Sequence, residues 1–482
     1  MSRRTSFFLL AALAASLIPV SSLSSVSASD QPGRARIAVD SGTSVRFSST
    51  AQVGVASVQP GAGPSGTVRS IASLSDGRIV IGGSFTSYNG LDWTNLAIIN
   101  ADGSLDTSFA RSTFDSQGKL MGGSNWDVYS VAVQSVGGVD KILVSTGFRA
   151  KFNCDTCSAA SSRLMRLNLD GTVDTSFNTG GTGPDGGSSF NNITAIQQQS
   201  NGKLLIAGDF TSYNGTSTAG VAILNADGTL ATAVPSISGG NNVNRAIATS
   251  GGTVYFGPGC TGSLNNCAIG GFYSLRTASL ATPATVVIGS SFGTSSAISN
   301  FTPTTDGGMV VVGEFGSRFG GVGTTGTGAD TRGKCIGKLD STGALVTGFN
   351  STSNAGEYLA SCDSTESGLS AAVEDSNKNI IFGGYFAGAH QLARFNEAGT
   401  DLTVMAQLTA SPAVLATQTV GATNYVIAGG AFTGSAGKLL RYNIATGLID
   451  ATFPAGWCLA RFQRQHRWRE QRCLKSTQCT SQ

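Results

Sequence analysis

Residues Thr67–Phe109 read TVRSIASLSDGRIVIGGSFTSYNGLDWTNLAIINADGSLDTSF, and this stretch decides the fold. Val68, Ile71 and Leu74 form an apolar run that stops at the tight turn Ser75-Asp76-Gly77. Arg78–Phe85 (RIVIGGSF) follows as a strand rich in β-branched residues, and a polar loop, Thr86–Thr94, leads into a third strand, Asn95–Asn100. A second turn, Ala101-Asp102-Gly103, feeds Ser104–Phe109. Asp-Gly between apolar runs signals a hairpin, because Gly takes positive φ without steric cost. Four short antiparallel strands in one repeat describe the blade of a β-propeller.

The same unit returns down the chain. Lys141–Phe148 (KILVSTGF) leads to Arg163–Phe177, and Lys203–Phe210 (KLLIAGDF) leads to Val221–Leu230. Thr253–Gly257 precedes Phe272–Ala281 in a weaker copy. Gly308–Phe315 leads to Lys338–Phe349, Asn379–Phe386 to Leu392–Asn396, and Tyr425–Phe432 to Leu440–Phe453. A repeat of this length cannot bury its apolar face alone, so the copies must stack. The expected fold is all-β, a single propeller of about seven four-stranded blades, within one blade either way.

The elements I-x-G-G-x-F-T-S-Y-N-G and L-N-x-D-G-S-L-D-T-S-F resemble the bacterial delta-60 repeat β-propeller family over roughly Val58–Phe453. The resemblance implies the fold and carries no activity with it. Kelch repeats share a Gly-Gly doublet, but their paired Tyr and Trp signature is missing. The 65 glycines suit turns and close backbone approach, and 12% charged residues with little helical periodicity fit an all-β chain.

The segments flanking the repeats differ from them. Residues 1–28 have the pattern of a secretory signal: Arg3 and Arg4, an apolar Phe7–Val20, and a small-residue cleavage site at Val26-Ser27-Ala28. The expected destination is secreted or extracytoplasmic, in the periplasm or on the cell surface, with no membrane span in the mature chain. Residues 29–57 are an extension whose segment Ile37–Val58 is a candidate ring-closing strand, and residues 58–454 are the repeats. Residues 455–482 hold five Arg, one Lys and one Glu, with Trp457, Phe462 and Trp468 interleaved. This composition fits either an anion-binding tail or, preferred for its abrupt onset, a shifted reading frame. The slightly acidic body gives no reason to expect nucleic acid.

Six of the nine cysteines lie in the repeats, and an even number in an exported chain reads as disulfides. Cys154 with Cys157 and Cys260 with Cys267 are the simplest local pairs, which leaves Cys335 with Cys362. The C-x-x-C spacing of Cys154 and Cys157 lacks the strand–helix context of a redox centre. A zinc site would need four ligands, and the body holds only His390 as a histidine.

Three sets of residues are candidates for chemistry. Asp102 with Asp106, and Asp170 with Asp174, recur in N-x-D-G-x-x-D turns with the oxygen-rich look of a Ca²⁺ loop; a structural hairpin is the stronger reading. Glu314 and Asp209 end equivalent strands and are candidates to face one another across a channel mouth. Tyr88, Trp93 and Tyr213 are candidates for an aromatic ligand rim, set against packing between blades. With two histidines in the chain, His-dependent triads are close to excluded. The expected role is a non-enzymatic, monomeric binding or scaffolding module without cofactor, for a protein or glycan. The alternative is a secreted hydrolase with acidic residues over the channel.

Overall fold

The computed structural model describes residues 37–39, 45–47, 63–109, 127–150, 162–186, 193–199, 201–218, 220–233, 244–250, 253–258, 273–279, 286–292, 297–314, 335–342, 344, 346, 348–350, 359, 368–432, 438–450 and 453. The chain divides into two units, 1–59 and 60–482. In the first, Ile37–Val39 and Val45–Phe47 pair antiparallel with one another; the rest of the candidate closing segment, the leader 1–28 and the tail 455–482 lie outside the described residues.

Seven antiparallel sheets follow one another through the second unit. Sheet 1 is Thr67–Ser73, Ile79–Ser84 and Leu96–Ile99. Sheet 2 is Val128–Val136, Val139–Ala150 and Ser162–Leu167. Sheet 3 has four strands, Ile193–Gln198, Leu204–Gly208, Val221–Leu224 and Leu230–Ala233. Sheet 4 is Asn244–Ser250, Thr253–Pro258, Tyr273–Ser279 and Val286–Phe292. Sheet 5 is Ala297–Pro303, Met309–Glu314 and Ile336–Leu339. Sheet 6 is Gly368–Glu374, Ile380–Phe386, Ala389–Phe395 and Leu402–Gln407, and sheet 7 is Pro412–Val420, Thr423–Gly430 and Leu439–Asn443. Apart from the single helical residue Leu359, the regular elements of the described residues are all strands, so the all-β expectation holds.

The expected fourth strand is reduced in three sheets to a single bridge: Ile99 to Leu105, Leu167 to Val173 and Tyr442 to Ile449. The cause is local. Asp106 N–H still bonds Ile98 O at 2.9 Å, but the Asp106 carboxylate then accepts from Ser108 N–H and turns the chain away from the ladder.

The second strands are the apolar centre of each unit; Ile79–Ile81, Leu204–Ala207 and Ile380–Phe382 are fully buried. The first strand of each sheet lies beside the first strand of the next, and Pro412–Val420 of sheet 7 lies beside Thr67–Ser73 of sheet 1. The Gly-Gly doublet explains how they approach. A Cβ on Gly82 would sit 2.4 Å from Val128 Cγ1 in sheet 2, and one on Gly383 would sit 2.3 Å from Pro412 Cγ in sheet 7. Gly429 meets Val68 of sheet 1 in the same way, at 2.8 Å. The second glycine, Gly83 or Gly384, lies against the backbone of its own first strand, at Thr67 O or Gly368 O. In sheet 2 the first position is Ser145, whose Oγ donates to Ile193 O of sheet 3 at 2.6 Å.

Candidate functional site

The charged residues near the hairpin turns are occupied by sheet-to-sheet contacts. In sheet 2, Arg166 donates from Nε to Asp174 at 2.9 Å, and from Nη1 to Gln134 Oε1 at 3.0 Å and to Ala226 O of sheet 3 at 2.7 Å. Gln134 Nε2 donates to the same carbonyl at 2.8 Å. Sheet 7 repeats the arrangement toward sheet 1. Arg441 bonds Asp450 through Nε and Nη2, and Gln418 Oε1 and Ala101 O through Nη1, while Gln418 Nε2 donates to Gly77 O. The Arg441 guanidinium also lies over Tyr425 and Phe453, at 4.4 and 4.2 Å from the ring centres. Both arginine side chains are almost fully buried, at 3% and 5% exposure.

This arrangement accounts for the four aspartates expected as calcium ligands. Asp102 Oδ1 accepts from Ser104 N–H and Oγ, and Asp170 Oδ1 accepts from Thr172 N–H and Oγ1. Asp106 Oδ1 takes Ser108 N–H and Oγ, and its other oxygen takes Arg78 Nη1 at 2.5 Å. Asp174 does the same with Ser176 and Arg166. Burial alone would raise Asp106 and Asp174, but these hydrogen bonds and guanidinium charges hold both carboxyls below their ordinary range. Asp106 and Asp174 spend both oxygens on these contacts and Asp102 and Asp170 spend Oδ1, the side-chain pattern of a structural hairpin.

The aromatic rim is corrected by burial. Tyr88 and Tyr213 are fully buried, and their hydroxyls donate to Gly103 O at 2.8 Å and Gly228 O at 2.6 Å. Trp93 is buried, with Nε1 donating to Leu96 O at 2.9 Å. The repeated F-T-S-Y-N-G is a hairpin brace. Its Asn takes positive φ (50° at Asn89, 47° at Asn214) and its amide bonds the carbonyl of Gly63 or Gly183.

The remaining candidates lie at the opposite end, where the first strands begin and the second strands finish. Asp209 is buried and engaged, and Glu314 closes the strand Met309–Glu314, its backbone paired with Ala297. The side chain of Glu314 lies outside the described residues. His390 Nδ1 lies 3.0 Å from Ser411 Oγ, and its ring meets Tyr385 edge-on at 4.9 Å. Cys335 is buried at φ 59 and is not a free thiol. Cys154, Cys157, Cys260, Cys267 and Cys362 lie outside the described residues.

At this end every sheet carries the same irregularity. The register between first and second strands slips after the entry of each first strand, leaving one residue unpaired: Arg69, Tyr129, Thr194, Arg245, Ser299, Ser370 and Ala413 in sheets 1 to 7. A bulge bends the strand and re-aims its extra side chain. Ser370 Oγ consequently reaches Pro412 O of the next sheet at 2.6 Å, and Arg69 Nη2 reaches Asp127, at the entry to sheet 2, at 2.9 Å. Sequence reading missed this set because the unpaired position has no residue type of its own; superposing the repeats on their doublets brings it into line.

A family sequence profile described as "Domain of unknown function (DUF5122) beta-propeller" matches residues 74–109, 158–177 and 199–230. Comparison with curated proteins gives no match. Among solved structures, a streptogramin B lyase is similar at 16% identity, over 78% of this chain and 93% of that one, with a TM-score of 0.42. Virginiamycin B lyase from Staphylococcus aureus is similar at 12% identity, over 67% and 83% of the two chains, with a TM-score of 0.38. A puromycin hydrolase is similar at 13% identity over 81% of this chain, which spans 54% of that one, with a TM-score of 0.46. The profile match over part of the chain supports a β-propeller fold, and the succession of antiparallel sheets agrees with it.

Proposed function

We propose that the seven sheets are the blades of one closed propeller of the delta-60 type, and that the chain is an exported, non-enzymatic module that binds a protein or glycan outside the cytoplasm. The bulge common to all seven first strands carries the functional reading. It offers one variable side chain per blade at one end of the ring, while the buried charges at the other end hold blade to blade. Closure is supported by the contact of Arg441 with Ala101, which repeats that of Arg166 with Ala226. Export rests on the leader 1–28. In this reading Cys335 pairs with Cys362, as befits an oxidising compartment. No helix among the described residues is long and apolar enough to cross a membrane.

A glycan- and peptide-array screen of the purified chain, with and without Ca²⁺, tests the proposal. Saturable capture of one ligand class is the expected result. The hydrolase alternative rests on acids over the channel, with Asp209 and Glu314 as its candidates. Turnover of a polysaccharide or peptide that disappears in Asp209→Asn or Glu314→Gln would establish it in place of a binding role.

A further inference from the structure

Resting on the binding reading above, we infer that Arg69, Asp127 and Tyr129 form a subsite for a neutral saccharide. The three residues stand at the bulge end of sheets 1 and 2. Asp127 Oδ2 accepts from Arg69 Nη2 at 2.9 Å, and the guanidinium carbon lies 5.2 Å from the centre of the Tyr129 ring. Arg69 and Asp127 are 38% and 30% exposed, and Tyr129 is half-buried. An ion pair this open to water adds about 0–1 kcal/mol to stability. The fold therefore gains little from placing an arginine on the bulge.

What separates this cluster from the charged groups at the opposite end is its unspent hydrogen-bonding capacity. Arg166 and Arg441 each serve a carboxylate, an amide oxygen and a backbone carbonyl of the next sheet. Among the described residues Arg69 hydrogen-bonds Asp127 alone, through Nη2, and Nε, Nη1, Asp127 Oδ1 and Tyr129 Oη have no protein hydrogen-bond partner there. The bulge aims Arg69 along the ring toward sheet 2, and Tyr129 holds the guanidinium through its ring face.

The pattern selects the ligand chemistry. A forked donor and a carboxylate acceptor side by side repel neither sign strongly and satisfy neighbouring groups that both donate and accept. Adjacent hydroxyls of a sugar do this: one gives its proton to Asp127 Oδ1 and its neighbour accepts from Arg69. An anionic ligand would meet Asp127, and a cationic one would meet Arg69. Tyr129 Oη supplies a third contact within the same group of residues.

The test is titration calorimetry of the full chain with neutral gluco-, manno-, galacto- and chito-oligosaccharides, alongside uronic-acid and sulfated oligosaccharides and a peptide pool. The expected result is saturable binding of a neutral oligosaccharide. Arg69→Ala and Asp127→Ala should each weaken it about tenfold, and Tyr129→Phe several-fold, since each loses one hydrogen bond, to a charged group in the first two cases. Melting temperatures should stay within about 2 °C of the parent, as an exposed pair requires. Binding of a neutral oligosaccharide unchanged in both alanine variants would overturn the subsite and leave the binding role standing. Binding of charged sugars or peptides alone would overturn the ligand chemistry. No binding in any arm would overturn both.

Discussion

Arg441 Nη1 donates to Ala101 O at 2.5 Å, across 340 residues of chain. Its counterpart Arg166 reaches Ala226 at 2.7 Å, from one sheet to the next in sequence. The two contacts share their supporting glutamine and aspartate, so the junction between the last and first sheets is built like an internal one.

Removing either arginine should therefore cost a similar amount. Arg441→Met and Arg166→Met each strand a mostly buried carboxylate and a carbonyl, which lowers unfolding free energy by about 3–5 kcal/mol. Urea unfolding checks this. A loss under about 1 kcal/mol for Arg441→Met alone would show that the terminal junction bears no such role.

The first glycine of the doublet should be intolerant of a methyl group. Gly82→Ala and Gly383→Ala drive a Cβ into Val128 and Pro412, and overpacking of this kind costs about 1–3 kcal/mol. Gly348, where an added Cβ would meet nothing within 4 Å, is the control, and its alanine variant should stay within about 0.5 kcal/mol. Thermal unfolding of the three variants separates the cases.

Alkali should loosen the fold through its internal tyrosines. Burial raises the phenols of Tyr88, Tyr213 and Tyr442 above the ordinary value of 10.0. Their unfolded forms lose protons first, so stability is fully present below pH 10.0 and falls as pH rises beyond it. Tyr88→Phe should soften that loss while costing about 1 kcal/mol at neutral pH for the bond to Gly103. Denaturation followed from about pH 8 to 12 tests the sign; an unchanged alkaline profile in the variant would contradict it.

Asp306 gives the acid counterpart. Burial pushes its carboxyl up, but Lys338 Nζ at 2.7 Å, the Thr304 hydroxyl and Gly308 N–H together hold it down at about 2. A depressed carboxyl contributes stability above its ordinary value of 3.8 and loses it as pH falls toward about 2. In Lys338→Met the Asp306 titration, followed by carboxyl NMR, should move up toward 3.8. A midpoint that stays near 2 would remove Lys338 as a cause.

The sheets were readable from Asp-Gly turns and doublets because these solve local backbone problems that leave a mark on residue type. The role of Tyr88 was harder to read, since its partner is a backbone carbonyl 15 residues away and any residue could supply that oxygen. Arg166 and Arg441 were hidden for another reason. They occupy the strand position held by Ile98 in sheet 1, where Asp106 finds Arg78 instead, so the repeat shows no constant cation. Arg69 and Tyr129 fall where the register slips, and alternation counted along the strand does not foresee which way they turn.

The slip after each strand entry also bears on how such a chain diversifies. Because the extra residue stands outside the ladder, exchanging it disturbs no backbone pairing, and the sequence already holds arginine, tyrosine, threonine, serine and alanine there. Each repeat can thus acquire a new surface letter independently of its neighbours. Duplication of a single ancestral unit followed by drift at one site per copy would then be enough to give sheets of one backbone design different surfaces.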